Sequence, residues 1–193
     1  MPTNHVLLPI EAPYQTDIAQ ILEGYPKDES GYILKLFRVF ANSKRFLGGR
    51  GPANLLDKAS PLTLRQREIV ILRVTANLGC EYEWGVHVAV FAQAAGFSQA
   101  EIQLTHADTV DATTWSEEES LLLACVDDLC QQAKISDANY ARFQAHWTVE
   151  QQLEILALCG HYHLISFVAN TARLAPETGA PPFPKSAGRQ TIV

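Results

Sequence analysis

Four side chains that can carry proton-transfer or thiol chemistry lie close together in the middle of the sequence. Cys80, Glu83 and His87 fall within the stretch "CEYEWGVH", and Glu68 lies twelve residues before the cysteine. If a helix begins near Glu81, then Glu83 and His87 stand one turn apart on the same face. Imidazole is the side chain most easily tuned to donate and accept a proton near neutral pH, and a nearby carboxylate favours its cation. This spacing predicts a proton-transfer site.

The residues around Gly79 predict how Glu68 reaches this cluster. A turn at Gly79 would fold two helices into a hairpin, in which residues at similar distances from the turn lie side by side. Glu68 and His87 lie eleven and eight residues from Gly79, so we expect them to approach each other. The neighbouring "IVILRV" indicates a buried helix, and buried carboxylates are rare unless paired or functional. The alternative is a solvated Glu83–His87 pair, with Glu68 paired locally to Arg65 or another basic residue.

The rest of the chain supplies the helices that must position these residues. Four segments begin with Ser or Thr followed three residues later by Glu or Gln, the pattern of a helix capping box. They are Thr63–Gln66, Ser98–Glu101, Ser116–Glu119 and Thr148–Gln151. Apolar residues at helical spacing follow each box, and no hairpin turn between alternating apolar residues is present. The sequence therefore predicts an all-α fold, a single-domain helical bundle.

Other stretches set the expected limits of this bundle. An apolar stripe predicts that the helix after Gly79 continues until Gly96 ends it; its members are Tyr82, Val86, Ala89, Val90 and Ala94. The Gly-rich "LGGRGPANLLDKAS", residues 47–60, predicts a loop with a short helical turn. The tail from Pro176 carries four prolines and cannot continue a helix. We expect a helical domain over residues 1–175 and a Pro/Gly-rich arm over 176–193, which either lies over a neighbouring subunit or frays.

Composition narrows the class of protein. With 193 residues, 47% apolar and 19% charged, the chain fits one globular domain. The net charge of −6 and the absence of a dense basic run argue against nucleic-acid and membrane partners. Neither a secretory signal nor an apolar run of about 18 residues is apparent, so we expect a cytoplasmic protein. Without a CxxC pair, Cys125, Cys130 and Cys159 are interpreted as small buried hydrophobic residues.

Two segments resemble the carboxymuconolactone decarboxylase family, which also contains the thiol-dependent alkylhydroperoxidases. "ILKLFRVFANS" is similar to the family's early helix, and "LTLRQREIVILRVTANLGCEYEWGVHVAVFAQAAGFSQAEI" to its central signature. The resemblance implies an all-helical fold around a helical hairpin, assembled as trimers or hexamers. It also implies that the proton-relay Glu of the peroxidase CxxCxxxH site falls on Glu68, the first Cys on Cys80 and the His on His87.

The second Cys of that motif falls on Glu83, which is a departure from the peroxidases. A carboxylate can neither attack peroxide nor form the internal disulfide, so the dithiol mechanism is excluded, whereas a one-cysteine mechanism through Cys80 and an external thiol is not. Glu four residues before the His is closer to decarboxylase-type members. The first hypothesis is therefore a cofactor-free lyase that acts on a small carboxylate or lactone through His87, Glu83 and Glu68. The alternatives are a peroxiredoxin-like antioxidant enzyme and a non-catalytic oligomeric scaffold.

Further residues are candidates for contacting a small-molecule substrate or for other roles. Two arginines are possible carboxylate-binding cations by position alone, and two aromatic residues are possible core or pocket wall; these candidates are Arg65, Arg73, Tyr82 and Trp84. His161 and His163 lie two apart in the last helix and hence on different faces. A metal site that combines them with His87 and Glu83 has no supporting ligand spacing. We expect one of the two histidines to line the pocket or a subunit seam and the other to bond locally.

Overall fold

The computed structural model of the chain describes residues 8–28, 30–42, 47, 60–111 and 113–184. Within these ranges the chain forms eight helices: α1 (Thr16–Leu22), α2 (Lys35–Phe40), α3 (Leu64–Asn77), α4 (Glu81–Phe91), α5 (Gln99–Thr105), α6 (Glu117–Gln132), α7 (Asp137–His146) and α8 (Val149–Thr171). The only β pairing in the same ranges is one isolated bridge between Lys27 and Ile33, which confirms the all-α prediction. None of these helices combines the length and apolar character that a bilayer-spanning segment needs. The expected loop over residues 47–60 lies outside the described residues apart from Leu47 and Ser60.

All four predicted capping boxes are formed, at the N-termini of α3, α5, α6 and α8. At the start of α8 the Thr148 hydroxyl accepts from the Gln151 amide, and the Gln151 side chain accepts from the Thr148 amide. Each box gives a partner to two backbone donors that a helix start otherwise leaves unpaired. These short-range bonds explain why the helix starts could be predicted from sequence.

Helix α3 is the centre of the bundle. Every residue from Glu68 to Ala76 is buried, because α3 packs against α4, α6 and α8 on different sides. A helix that is apolar on all sides is expected to be buried, as the run "IVILRV" indicated. Glu68 and Arg73 are therefore charged groups in the core and need partners there.

The α3–α4 hairpin forms as predicted. Gly79 has a φ of +60°, in the region that glycine adopts most easily, and α4 begins at Glu81. The predicted extent of α4 is wrong at its other end: the helix stops at Phe91, and Ala89 and Val90 are exposed. Of the predicted stripe, Tyr82 is buried and Val86 packs against the main core, and the buried part of α4 also carries Glu83 and His87.

The described part of the C-terminal arm, residues 176–184, packs along α4 of its own chain. The Tyr82 hydroxyl donates to Glu177 Oε1 at 2.6 Å, and the Phe183 amide donates to Glu81 Oε2 at 3.0 Å. The Phe183 ring lies 5.3 Å from the Trp84 ring, centroid to centroid. Residues 176–184 thus form a strap, defined by these contacts, and are not a frayed end.

Gly85 allows the strap to cross α4. A Cβ at this position would lie 2.6 Å from the Pro181 carbonyl oxygen and 3.4 Å from the Ala180 Cβ. We expect Gly85→Ala to push the strap outwards and to lower the free energy of unfolding by about 1–3 kcal/mol, as overpacking does. This loss would occur although alanine is the better helix former by about 1 kcal/mol. Urea denaturation of the two proteins measures it.

A shortened chain provides the control for this prediction. Ending the chain after Gly179 removes the Pro181 carbonyl, so Gly85→Ala in that background is expected to be neutral or stabilising. An equal loss of stability in both backgrounds would show that the strap is not the cause.

Candidate functional site

The candidate site lies inside the bundle, where α4 and α8 pack against α3. His87 Nδ1 lies 2.8 Å from Glu68 Oε2, so the two residues approach each other as the hairpin predicted. His87 Nε2 lies 3.0 Å from the Tyr162 hydroxyl and 3.5 Å from Glu83 Oε1. All four side chains are buried, and both nitrogens of the imidazole face protein groups.

The carboxylates control the charge of this imidazole. Burial alone would lower the pKa of His87, but the charge of Glu68 and hydrogen bonds with Glu68 and Glu83 raise it to about 9. At neutral pH the ring is therefore an imidazolium with an N–H on each nitrogen. The site holds a protonated acid, shielded from water, between two carboxylates.

Glu68 has unused hydrogen-bonding capacity. Its Oε1 atom is buried and accepts no hydrogen bond within the described part of the chain. A buried carboxylate oxygen without a donor is costly. Buried ionisable groups in such unfavourable surroundings are found more often at functional sites than elsewhere in a protein core.

Cys80 lies at the start of α4 and is fully buried. Burial raises the pKa of its thiol to about 11, while the Glu83 amide and the Ser166 hydroxyl lower it to a smaller extent. The thiolate is the nucleophilic form of cysteine. At neutral pH Cys80 is thus almost entirely the unreactive thiol.

Helix α8 contributes residues that the sequence argument did not assign to the site. Tyr162 bonds His87, and Ser166, one turn further along, lies against Cys80. The positive charge of Arg67 lowers the pKa of Tyr162 to some extent. A polar Tyr and Ser at i, i+4 on the buried face of "CGHYHLISF" is the signal that could have identified them.

The two histidines of α8 have different surroundings, as expected. Burial lowers the pKa of His161, whereas the charge of nearby Glu83 raises it, so His161 adjoins the cluster. His163 bonds locally, from its Nδ1 to the Cys159 carbonyl oxygen at 2.7 Å.

The structure does not bring Arg65 and Arg73 to His87. Arg65 forms ion pairs with Glu101 and Glu119, and so it does not pair with Glu68. Arg73 makes a two-pronged ion pair with Asp127, at 2.6 and 2.7 Å. Both guanidinium groups link α3 to neighbouring helices, which is a structural role and not the proposed carboxylate-binding one.

Tyr82 and Trp84 are buried, and each directs its polar atom to the surrounding protein. Tyr82 bonds Glu177 of the strap, and Trp84 Nε1 donates to the Thr105 hydroxyl at 3.0 Å. Their place in the core agrees with the expected role of core or pocket wall.

The all-helical bundle that the described residues form around the α3–α4 hairpin has an alkylhydroperoxidase-like fold. Residues 52–127, which hold Glu68, Cys80, Glu83 and His87, match the carboxymuconolactone decarboxylase family. The matched segment makes up 76 of the 193 residues of the chain and holds every residue of the candidate cluster except Tyr162.

The solved structures that are similar to the chain include the following two. One is an uncharacterised peroxidase-related protein from Silicibacter sp. TM1040, with a TM-score of 0.73, 16% identity, and coverage of 93% of this chain and 95% of that chain. The other is a protein of unknown function from Agrobacterium tumefaciens, suggested to be an antioxidant defence protein AhpD, with a TM-score of 0.57, 23% identity, and coverage of 62% and 82%. At these identities the likeness extends to the fold alone. Comparison with curated proteins gave no significant match.

Proposed function

We propose that the protein is a cofactor-free enzyme that decarboxylates, or transfers a proton on, a small carboxylate or lactone. The buried His87 imidazolium, held by Glu68 at 2.8 Å and close to Glu83, carries this proposal. Loss of CO2 leaves the electron pair of the broken C–C bond on the substrate as an enolate, and protonation of that carbon completes the reaction. An acid that stays protonated at neutral pH can supply this proton, and the low dielectric around it strengthens the transfer.

The second candidate function is reduction of hydroperoxides through Cys80. The names of the two similar structures, a peroxidase-related protein and a suggested antioxidant defence protein, favour it. In this chemistry a thiolate attacks the peroxide, becomes a sulfenic acid and is restored by an external thiol. The buried, un-ionised Cys80 thiol weighs against it, and we therefore place it second.

Two substitutions distinguish the candidates. For the first candidate, we expect the wild-type protein to release CO2 from oxaloacetate, used as a small β-keto carboxylate, or to catalyse deuterium uptake by small lactones in heavy water. This turnover should fall at least about a hundredfold in His87→Gln and persist in Cys80→Ser. Consumption of cumene hydroperoxide with dithiothreitol that is lost in Cys80→Ser would favour the second candidate. His146→Gln, at an exposed histidine, is the matched control.

The outcome for the wild-type protein decides whether there is an enzyme at all. If it turns over neither β-keto carboxylates, lactones nor hydroperoxides, the scaffold hypothesis replaces both. Activity that is lost on dialysis against a chelator and restored by a metal would contradict the cofactor-free proposal. The cytoplasmic location and the division at residue 176 stay predictions.

The protein's partner in this proposal is a second copy of itself. Helix α8 exposes a mainly apolar stripe with spacings of three and four, at Val149, Leu153, Leu156, Gly160, Leu164 and Phe167. Leu153 and Phe167 are 62% and 59% exposed. A stripe of this period suits packing against the same stripe of a second helix, and the family resemblance implies trimers or hexamers.

Charged substitutions in this stripe test self-association. Leu153→Lys and Phe167→Lys are expected to convert a trimer or hexamer into monomers, because association would bury an unpaired ammonium group. Sedimentation measures the mass. Val90→Lys is the control, since Val90 is equally exposed, at 59%, but lies on α4. A wild-type monomer, or an oligomer unchanged in both α8 variants, would contradict the proposal.

A further inference from the structure

We infer that Tyr162 is the residue that hands the proton to the substrate, and that His87 acts behind it by reprotonating the phenol. This inference rests on the proposed proton-transfer function and adds a catalytic residue to it. It replaces a direct transfer from the imidazole to the substrate.

The hydrogen-bond partners of the imidazole indicate that its proton reaches a substrate through Tyr162. Nδ1 of His87 is taken by Glu68, and Nε2 faces the Tyr162 hydroxyl at 3.0 Å. The two rings meet edge to face, with centroids 5.2 Å apart, and only 3% of His87 is exposed. A substrate that bonded Nε2 directly would have to displace Tyr162 from a packed core. Tyr162 is itself only 1% exposed, so a substrate at the phenol must also enter the core, but it would leave the bond between His87 and Tyr162 in place.

The charge of His87 fixes the direction of the bond. An imidazolium has no free lone pair, so at this contact the Tyr162 oxygen is the acceptor; at 3.0 Å it is nearer to Nε2 than Glu83 Oε1 is, at 3.5 Å. The phenolic hydrogen then points towards another acceptor. Within the described residues the Tyr162 hydroxyl has no second hydrogen-bond partner. We therefore assign this hydrogen to the substrate.

The groups around Tyr162 keep its phenol protonated. Burial, and then the charges of Glu83 and Glu68, raise the pKa of Tyr162, so the phenol does not ionise by itself. Its proton can leave only as His87 replaces it. Arg67 lowers the same pKa, but it is the smallest of these effects, so the cation beside an enolate or carboxylate bound at the hydroxyl is the His87 imidazolium, 3.0 Å away. The ligand class is a small carboxylate whose enolate oxygen or carbon lies at this hydroxyl.

The transfer balances without a further reactant. The electron pair left by CO2 forms a C–H bond with the phenolic proton, and the Tyr162 O–H bond breaks. The Nε2 proton of His87 moves to the phenolic oxygen, which leaves a neutral imidazole whose Nδ1–H still donates to Glu68. One proton from solvent then recharges His87, and every other group returns to its starting state.

Tyr162→Phe tests the direction of the bond without any substrate. NMR titration of the His87 ring is expected to show a midpoint about one pH unit lower than in the wild type, because the imidazolium Nε2–H loses its acceptor. A higher midpoint would mean that the phenol donates to a neutral ring, which overturns the inference. An unchanged midpoint would mean that Nε2–H bonds Glu83 instead, which also overturns it. Tyr140→Phe, at an exposed tyrosine of α7, should leave the midpoint unchanged.

Steady-state kinetics with oxaloacetate or a small lactone are the second test of the role of Tyr162. In Tyr162→Phe, kcat is expected to fall at least about a hundredfold with KM little changed. The double variant with His87→Gln should be no slower than His87→Gln alone, because the two residues act in series. Full kcat in Tyr162→Phe overturns the inference. If the wild-type protein has no such activity, the proposed function fails, and the His87 titration still decides the role of Tyr162.

Discussion

Asp127→Ala is expected to lower the free energy of unfolding by about 3–5 kcal/mol, the usual effect of removing one partner from a buried ion pair. The two carboxylate oxygens of Asp127 accept from Nε and Nη2 of Arg73. The Arg73 side chain is only 1% exposed. The carbonyl oxygens of Thr105 and Ala107 also accept from Arg73, so this cation is fixed in the core and cannot swing out to water. Chemical denaturation of the variant measures the loss.

An exposed ion pair on the same helix serves as the control. Glu117 also belongs to α6 and pairs with Arg142 at 3.2 Å, but their side chains are 79% and 48% exposed. Such pairs contribute at most about 1 kcal/mol, so Glu117→Ala should have little effect. The double variant Arg73→Met with Asp127→Leu should recover much of the loss, because it leaves no buried charge. If Asp127→Ala costs no more than Glu117→Ala, the pair is not the bond between α3 and α6 that its geometry indicates.

The parts of this protein that the sequence predicted depend on residues close together in the chain. A capping box joins residues three apart, so the starts of α3, α5, α6 and α8 follow from short motifs. The approach of Glu68 to His87 spans 19 residues, but a single turn at Gly79 controls it. Local stereochemistry was sufficient for both.

The parts that the sequence did not predict join distant segments. Tyr162 is 75 residues from His87, and its contact depends on how α8 crosses the hairpin. The roles suggested for Arg65 and Arg73 failed for a similar reason: a lone arginine in a sequence gives no sign that a carboxylate more than 50 residues away will pair with it. The position of a cation along α3 is local information, but its partner is set by the packing of the helices.

The stability of the protein is expected to fall as the pH rises above about 6.5, with His87 as the cause. Its folded-state pKa of about 9 exceeds the ordinary value of 6.5, so folding favours the protonated ring. This contribution is complete below pH 6.5 and is lost as the pH rises towards 9. The slope should reach about 1.4 kcal/mol per pH unit, and the whole contribution is at most about 3 kcal/mol. Urea denaturation between pH 6.5 and 8 measures it.

Glu68→Gln distinguishes this cause from other titrations. Glu68 contributes most to raising the pKa of His87, so its neutral analogue should flatten the slope, and His87→Gln should abolish it. Burial also raises the pKa of Cys80 and Cys125, but these thiols affect stability only near and above their ordinary pKa of about 8.5. His161, whose pKa is lowered, acts only below pH 6.5. A slope that survived in both Glu68→Gln and His87→Gln would mean that the imidazole is not the protonated acid on which the proposed chemistry depends.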